Sequence, residues 1–272
     1  MGALPSASDY ERLLRSLPPR KRLEAEAILR AQREAQRGKL SDRAWIEANL
    51  WIRDKERQII RLIFNWAQRE YHAHRTRRDL ILKARQMGFT TLICGLFFAD
   101  TLLRPNTTSV IVAHDTDSSE KIFRKVQLFW ERLPASAKAA AGKPRFSNRR
   151  EFLWPKINSQ FYVGTAGALT FGRGQTINNL HCSEFGFWPK PEEALVALRE
   201  AVPADGYVVI ESTPNGVGNY LHDMWVAAGE KRNGFKQHHY VWWECEEYQS
   251  APMPDELRVW QVQLKEMGVK IR

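Results

Sequence analysis

Lys83-Ala84-Arg85-Gln86-Met87-Gly88-Phe89-Thr90-Thr91 lies between two apolar runs, Leu80-Ile81-Leu82 before it and Leu92-Ile93-Cys94-Gly95-Leu96-Phe97-Phe98 after it. That order predicts a strand, a tight loop and a buried helix. A helix N-terminus reached from a glycine-containing loop offers free backbone N–H groups and the positive end of the helix dipole, which suits a phosphate. The usual phosphate-loop pattern is G-x-x-x-x-G-K-[ST]. Gly88 and Thr90 stand in their places, but Lys83 occupies the first glycine position and Phe89 the lysine position. As a bare pattern the loop fails, and its meaning depends on the rest of the chain.

The 272 residues suffice for one large core or two small ones, and 43% hydrophobic with 26% charged residues is an ordinary globular balance. A net charge of +10 favours a polyanionic partner such as nucleic acid, against the plainer alternative of a solvated basic surface. Cys94, Cys182 and Cys245 form neither a metal-spaced pair nor a disulfide framework, which fits a reducing cytoplasm. No apolar run approaches the roughly 20 residues needed to cross a bilayer, so no membrane association is expected. The N-terminus lacks a signal-peptide core, and no internal repeat is present.

Residues 1–45 are rich in Arg, Ala and Glu, and Leu23, Ala27, Ile28 and Ala31 recur at helical spacing, predicting a helical arm or lid. Residues 46–250 read as the main domain. A helix is predicted over Ala67–His74, and strands over Leu80–Leu82 and Thr108–Ala113. A helix over Ser119–Leu133 is capped by Asp115 or a nearby Ser. Ala135 to Gly142 is a small-residue loop or frayed helix. Phe152–Trp154 and Gln160–Val163 form a hairpin appended to the sheet. A short strand, Asn179–Cys182, ends at Ser183-Glu184, and a helix follows over Glu192–Val202. The strand Tyr207–Ile210 leads into Glu211-Ser212-Thr213-Pro214-Asn215-Gly216, then come a helix over Asn219–Ala228 and a strand over Lys236–Trp242. This alternation predicts an α/β fold with a mainly parallel sheet. Residues 251–272, with a polar helix over Asp255–Val269, read as the start of a linker.

Three features fall at predicted carboxyl ends of strands, where open α/β sheets place their sites: the 83–91 loop, Ser183-Glu184 and Ser212-Thr213. In nucleoside triphosphatases one sheet-end residue supports Mg²⁺ and a following glutamate orients and deprotonates water. Glu184 holds the glutamate position, and Ser183 stands where aspartate is more usual. Taken alone, a glutamate at a strand end is more often a solvated loop residue. His181 and Cys182 point to opposite faces of their strand and do not suit a shared metal.

Several of these stretches, in order from about residue 50 to 245, together resemble the ATPase domain of the large terminase subunit, the DNA-packaging motor of tailed bacteriophages. Asn65-x-Ala67-Gln68 is similar to that family's adenine-recognition Q motif. The 83–91 loop resembles its deviant Walker A, in which the lysine moves to the start of the loop. Leu180-His181-Cys182-Ser183-Glu184 is similar to its Walker B in the variant with Ser before Glu, and Ser212-Thr213-Pro214-Asn215-Gly216 resembles its coupling motif.

The resemblance implies a three-layer P-loop ATPase that hydrolyses ATP with Mg²⁺ to translocate double-stranded DNA into a procapsid, in the cytoplasm of the infected bacterial host. The expected partners are a portal protein, a small terminase subunit and further copies of the chain in a ring. Glu184 and Arg173 are the implied catalytic residues. ATP contacts are expected from Gln68, Lys83, Arg85, Gln86, Met87, Gly88, Phe89, Thr90 and Thr91. Thr90 is expected on Mg²⁺, with Ser183 acting on it indirectly, and Ser212 and Thr213 in coupling. Lys83 is long enough to reach the β- and γ-phosphates from the near end of the loop, while Phe89 is expected to pack beneath it. Arg173, on the Gly172-Arg173-Gly174 loop, is either a finger acting on a neighbour's nucleotide, worth roughly 10³–10⁵ in rate, or a contact to DNA or solvent. About 30 residues follow Trp243, too few for a nuclease domain, so nuclease activity is not expected. Alternatives are an ATP-dependent helicase or remodeller, and a non-catalytic DNA-binding assembly protein with a degenerate site, for which Phe89 is the best argument.

Overall fold

The computed structural model describes residues 42–145, 150–168 and 175–245, with isolated positions 17, 18, 21–23, 26 and 263. Most of the expected N-terminal arm, the Arg173 loop and nearly all of the expected 255–269 helix lie outside the described residues. The chain divides into two compact units, residues 1–240 and 241–272. In the second, the described residues include a 3₁₀ turn, Trp242–Glu244, whose two tryptophan rings meet edge-on at 5.7 Å.

Among the elements described in the first unit, helix α1 (Asp42–Asn49) comes first; it buries Ala44, Trp45, Ile46 and Glu47 and spans position 45. Strands β1 (Trp51–Arg53) and β2 (Ile59–Arg61) pair antiparallel as a separate ribbon. Helix α2 (Trp66–His74) follows, then β3 (Arg78–Lys83), α3 (Phe89–Leu103), β4 (Thr108–Ala113) and α4 (Thr116–Arg132). Asp115 caps α4 by accepting from Ser118 N. Ala135–Ala141, rich in alanine, forms a regular helix, α5. Strands β5 (Glu151–Trp154) and β6 (Ser159–Thr165) form the expected antiparallel hairpin. Later in the chain come β7 (Asn179–Ser183), α6 (Pro191–Glu200), β8 (Tyr207–Ser212), α7 (Tyr220–Gly229) and β9 (Lys236–Tyr240).

The sheet order is β5-β6-β4-β7-β8-β3-β9, parallel throughout except at the β5 edge. The chain leaves β3, crosses by α3 to β4, and later returns to fill the space between them with β7 and β8. This topology brings the carboxyl ends of β3, β8 and β7 side by side.

Side-chain alternation then sorts the strand residues between two faces. Leu80, Leu180, Cys182, Val208 and Ile210 join one buried cluster with Leu195 and Leu198 of α6 and Leu221 and Met224 of α7. Their odd-numbered neighbours face α3: Ser109 Oγ hydrogen-bonds Phe97 O at 3.3 Å, and His181 meets the Phe97 ring at 6.5 Å. Asn179 donates to Asp100 Oδ2 at 2.8 Å. Both faces are covered, which is why β3, β4 and β8 read as near-continuous apolar runs. Helix α3 is apolar on nearly all sides because it is buried on nearly all sides, ten of its residues being inside. The same alternation places Asp79 and Lys83 of β3, His181 and Ser183 of β7, and Glu211 of β8 on the α3 face. That parity builds the site.

Candidate active site

The loop between β3 and α3 contains two left-handed backbone positions, Gln86 at φ 57° and Gly88 at φ 75°. A Cβ on Gly88 would lie 2.7 Å from Gln68 Nε2, so both the conformation and the space select glycine. Gln68 and Asn65 form a capping box at the start of α2: Gln68 N donates to Asn65 Oδ1, and Asn65 N to Gln68 Oε1. The same two side chains reach the loop. Asn65 Nδ2 donates to Met87 O at 3.3 Å, and Gln68 Nε2 donates to Gly88 O at 3.0 Å. The carboxamide expected to read adenine is buried here and engaged by Asn65 N and Gly88 O, where it ties the start of α2 to the β3–α3 loop.

Within the loop the side chains divide by exposure. Arg85 and Gln86 are exposed, whereas Met87 and Phe89 are buried. Phe89 packs beneath the loop as expected, its ring 5.9 Å from Tyr71 and 4.7 Å from Tyr240. Thr91 accepts from Lys125 Nζ of α4 at 3.0 Å, a tie between two helices that the sequence does not signal.

Lys83 projects from the end of β3 and is nearly inaccessible. Its Nζ donates to Glu184 Oε1 at 2.8 Å and stands 3.1 Å from Glu211 Oε2. Burial lowers its pKa, but the Glu211 and Glu184 carboxylates outweigh that, and the net shift is upward, so Lys83 is an ammonium at neutral pH. Glu184 is the most open of the three, with 28% of its side chain exposed against none for Glu211. Its backbone is left-handed, φ 52° and ψ 44°, at the junction of β7 and the 3₁₀ turn Phe185–Phe187. A non-glycine residue there costs about 1–3 kcal/mol, a strain that concentrates at functional sites.

That turn is held from two sides. Trp188 Nε1 donates to Ser183 O at 3.0 Å. From the β8 side, Ser212 Oγ accepts from Gly186 N at 3.1 Å and Asn215 Nδ2 donates to Gly186 O at 2.7 Å. Thr213 reaches Glu184 Oε2 through both its N–H and its hydroxyl, each at 3.4 Å. The 212–216 segment therefore touches the glutamate and clamps the turn that carries it.

The sequence does not single out Glu211. Ile210 reads as the last residue of its strand, which leaves Glu211 in the following loop; the strand instead runs on through Ser212 and pairs Glu211 with Ser183. Glu211 is fully buried. Its Oε1 accepts from Thr90 Oγ1 at 2.8 Å and from Ser183 Oγ at 2.7 Å, and His181 Nε2 lies at 3.5 Å. Burial pushes its carboxyl up, but the Lys83 charge, with His181 and Ser183, holds it well below the usual carboxylate range. A signal is available: a charged residue of odd parity, one step beyond an apolar run, falls on the same face as Lys83.

Five of the expected residues thus converge, namely Lys83, Thr90, Ser183, Glu184 and Thr213, with Ser212 directly behind them. Arg173 lies outside the described residues. Among the described residues no three His, Cys, Asp or Glu side chains converge to cage a metal ion. The donors present suit Mg²⁺ in another way, because that ion keeps several waters and takes one or two carboxylates together with substrate phosphates. Glu211 Oε2, a buried carboxylate oxygen whose charge is met by Lys83 Nζ at 3.1 Å, is of the type such a role needs.

No protein-family profile matches the chain. Its structure is similar to the large terminase ATPase domain of Thermus phage P74-26, at TM-score 0.53 and 19% identity, over 74% of this chain and 87% of that one. It is also similar to the large terminase of bacteriophage HK97, at TM-score 0.59 and 19% identity, over 73% of this chain and 43% of that one. The large terminase of a thermophilic bacteriophage, in complex with ADP, aligns at TM-score 0.50 and 8% identity, over 72% of this chain and 49% of that one. The chain thus spans less than half of the HK97 protein and of the thermophilic phage's protein. Its α/β architecture, with a mostly parallel seven-stranded sheet flanked by helices, is the fold of phage large terminase ATPase domains.

Proposed function

We propose that this chain is the ATPase motor domain of a viral terminase, hydrolysing ATP with Mg²⁺ to drive double-stranded DNA into a procapsid. The observation that carries the reading is the single buried ammonium of Lys83 shared between Glu184 and Glu211 at the mouth of a phosphate loop. An ion pair that only stabilised the fold would not need its more open partner in a left-handed backbone.

In this reading the α3 N-terminus and the 84–90 backbone cradle the phosphates, and Lys83 turns from Glu184 to the β- and γ-phosphates when ATP enters. Arg85 and Gln86, exposed on the loop, face the nucleotide. Glu184, no longer neutralised by Lys83, aligns the attacking water and takes its proton through Oε1. Thr213, touching Oε2, registers that change and passes it to Pro214-Asn215-Gly216. Gln68 keeps the loop fixed to α2 and retains a second amide N–H and a second carbonyl lone pair to offer adenine. Mg²⁺, when bound, neutralises charge on the phosphoryl oxygens. Arg173 serves as a finger acting on a neighbouring copy's nucleotide in a ring docked on a portal, with a small terminase subunit as a further partner. The net positive charge meets the DNA backbone without reading sequence. The setting is the cytoplasm of an infected bacterium.

Steady-state phosphate release with and without linear duplex DNA tests this. Glu184→Gln is expected to lower turnover about 10²–10⁴-fold while leaving nucleotide affinity near that of wild type. Equal rates for the two proteins would favour a non-catalytic DNA-binding role instead.

A further inference from the structure

Phosphate-binding ATPases pair the loop hydroxyl with a carboxylate at a neighbouring strand end, so that the two together hold Mg²⁺ and its waters. In this chain the residue before Glu184 is Ser183, which carries no charge. We propose that the missing carboxylate is supplied from the adjacent strand by Glu211, which organises Mg²⁺ together with Thr90. This rests on the ATPase reading above.

Three observations carry it. Thr90 Oγ1 donates its hydrogen to Glu211 Oε1 at 2.8 Å. A hydroxyl has one donor and two lone pairs, so donation to a carboxylate leaves the lone pairs free for a cation. Ser183 Oγ donates to the same Oε1 at 2.7 Å, so the serine in the aspartate position points its hydrogen at the carboxylate that replaces it. Glu211 Oε2 is buried, and among the described residues its charge is met by the Lys83 ammonium at 3.1 Å. When Lys83 moves to the phosphates, this oxygen is left with an uncompensated negative charge at the place where Mg²⁺ would enter. Register explains how the exchange is possible. Ser183 and Glu211 are paired residues on parallel strands, so their side chains leave the sheet on one face, next to each other. The glutamate carboxylate of β8 thereby lies within hydrogen-bond reach of position 183.

The test is equilibrium binding of ATPγS, titrated with and without Mg²⁺, and Mn²⁺ binding in the presence of ATPγS followed by electron paramagnetic resonance. Wild type is expected to gain affinity with the metal. Glu211→Gln, read against its own metal-free affinity, should lose about 10–100-fold in metal affinity, the range seen when a ligand's supporting partner is removed. The double variant Glu211→Gln/Ser183→Asp, which returns a carboxylate to the aspartate position, should recover most of that loss. Glu211→Asp keeps the charge beside Lys83 but withdraws it by one methylene, and should fall between wild type and Glu211→Gln. It carries the test if the amide variant does not fold. Undiminished metal dependence in Glu211→Gln or Glu211→Asp would overturn this assignment and leave the ATPase reading standing. Failure of wild type to bind ATPγS would overturn both.

Discussion

Strand β3 carries a buried ionic group at each end, and the two differ in how completely they are satisfied. At its start, Asp79 accepts from Thr76 N at 3.0 and 2.9 Å, from Thr76 Oγ1 at 2.7 Å, from Tyr71 Oη at 3.1 Å and from His238 Nε2 at 3.0 Å. Both its oxygens are filled, and its partners come from α2, the following turn and β9. Four residues on, about 13 Å away along the strand, Lys83 is divided between two carboxylates. One of these has a buried oxygen whose partner is Lys83 itself, at 3.1 Å, and the other is partly open to solvent in a left-handed backbone. Both sites hold a carboxylate below its ordinary range: at Asp79 the His238 and Thr76 hydrogen bonds overcome burial, and at Glu211 the Lys83 charge does so. Depressed carboxylates therefore do not identify a functional site by themselves. What separates the two ends is redundancy: a structural lock is over-determined, and a site that must exchange partners is not.

Substitutions can break or sharpen that contrast. Lys83→Ala should have the largest effect, a fall in phosphate release of about 10²–10³-fold, the loss typical of removing one donor to a developing negative charge. Adding Glu211→Ala should return much of the stability lost by stranding a buried carboxylate, yet restore no turnover.

Asp79→Ala should behave in the opposite way. Urea unfolding should show a loss of about 3–5 kcal/mol, with phosphate release by the folded fraction close to wild type. Because the folded pKa of Asp79 lies below its unfolded value, its contribution is present above the ordinary aspartate range and disappears as pH falls through the folded value. Asp79→Asn should accordingly flatten the acid side of the stability profile.

Gly88→Ala should have the smallest effect on stability, about 1–2 kcal/mol for a side chain in the left-handed region. Its further consequence is to displace Gln68 Nε2 from Gly88 O, so nucleotide affinity should drop more than stability does. Equal changes in both would place the latch outside the function of the loop.

Much of this is legible in the sequence alone. The apolar run ahead of Lys83 and the apolar helix after Phe89 are long and unambiguous, and Thr108–Ala113 is a strand with the bounds its β-branched residues suggest. Asp115 caps its helix because a carboxylate just before a helical pattern has few other uses. Residues 42–64 are harder. They hold a short helix and two three-residue strands, each too brief to establish a period. In the site, Lys83, Thr90, Ser183, Glu184 and Thr213 are legible through motif order. Glu211 is not, because a buried charge looks like the end of a strand until a partner on another strand accounts for it. The engagement of Gln68 with Gly88 O is likewise hidden, since nothing local reveals that a helix cap also holds a loop twenty residues away.

The position of Lys83 Nζ in a crystal structure with a non-hydrolysable ATP analogue and Mg²⁺ tests the central claim most directly. Nζ is expected to leave Glu184 and lie about 2.7–2.9 Å from an oxygen of the β- or γ-phosphate, with Thr90 and Glu211 turned to the metal and its waters. A lysine still paired with Glu184, above a nucleotide bound elsewhere or not at all, would contradict it.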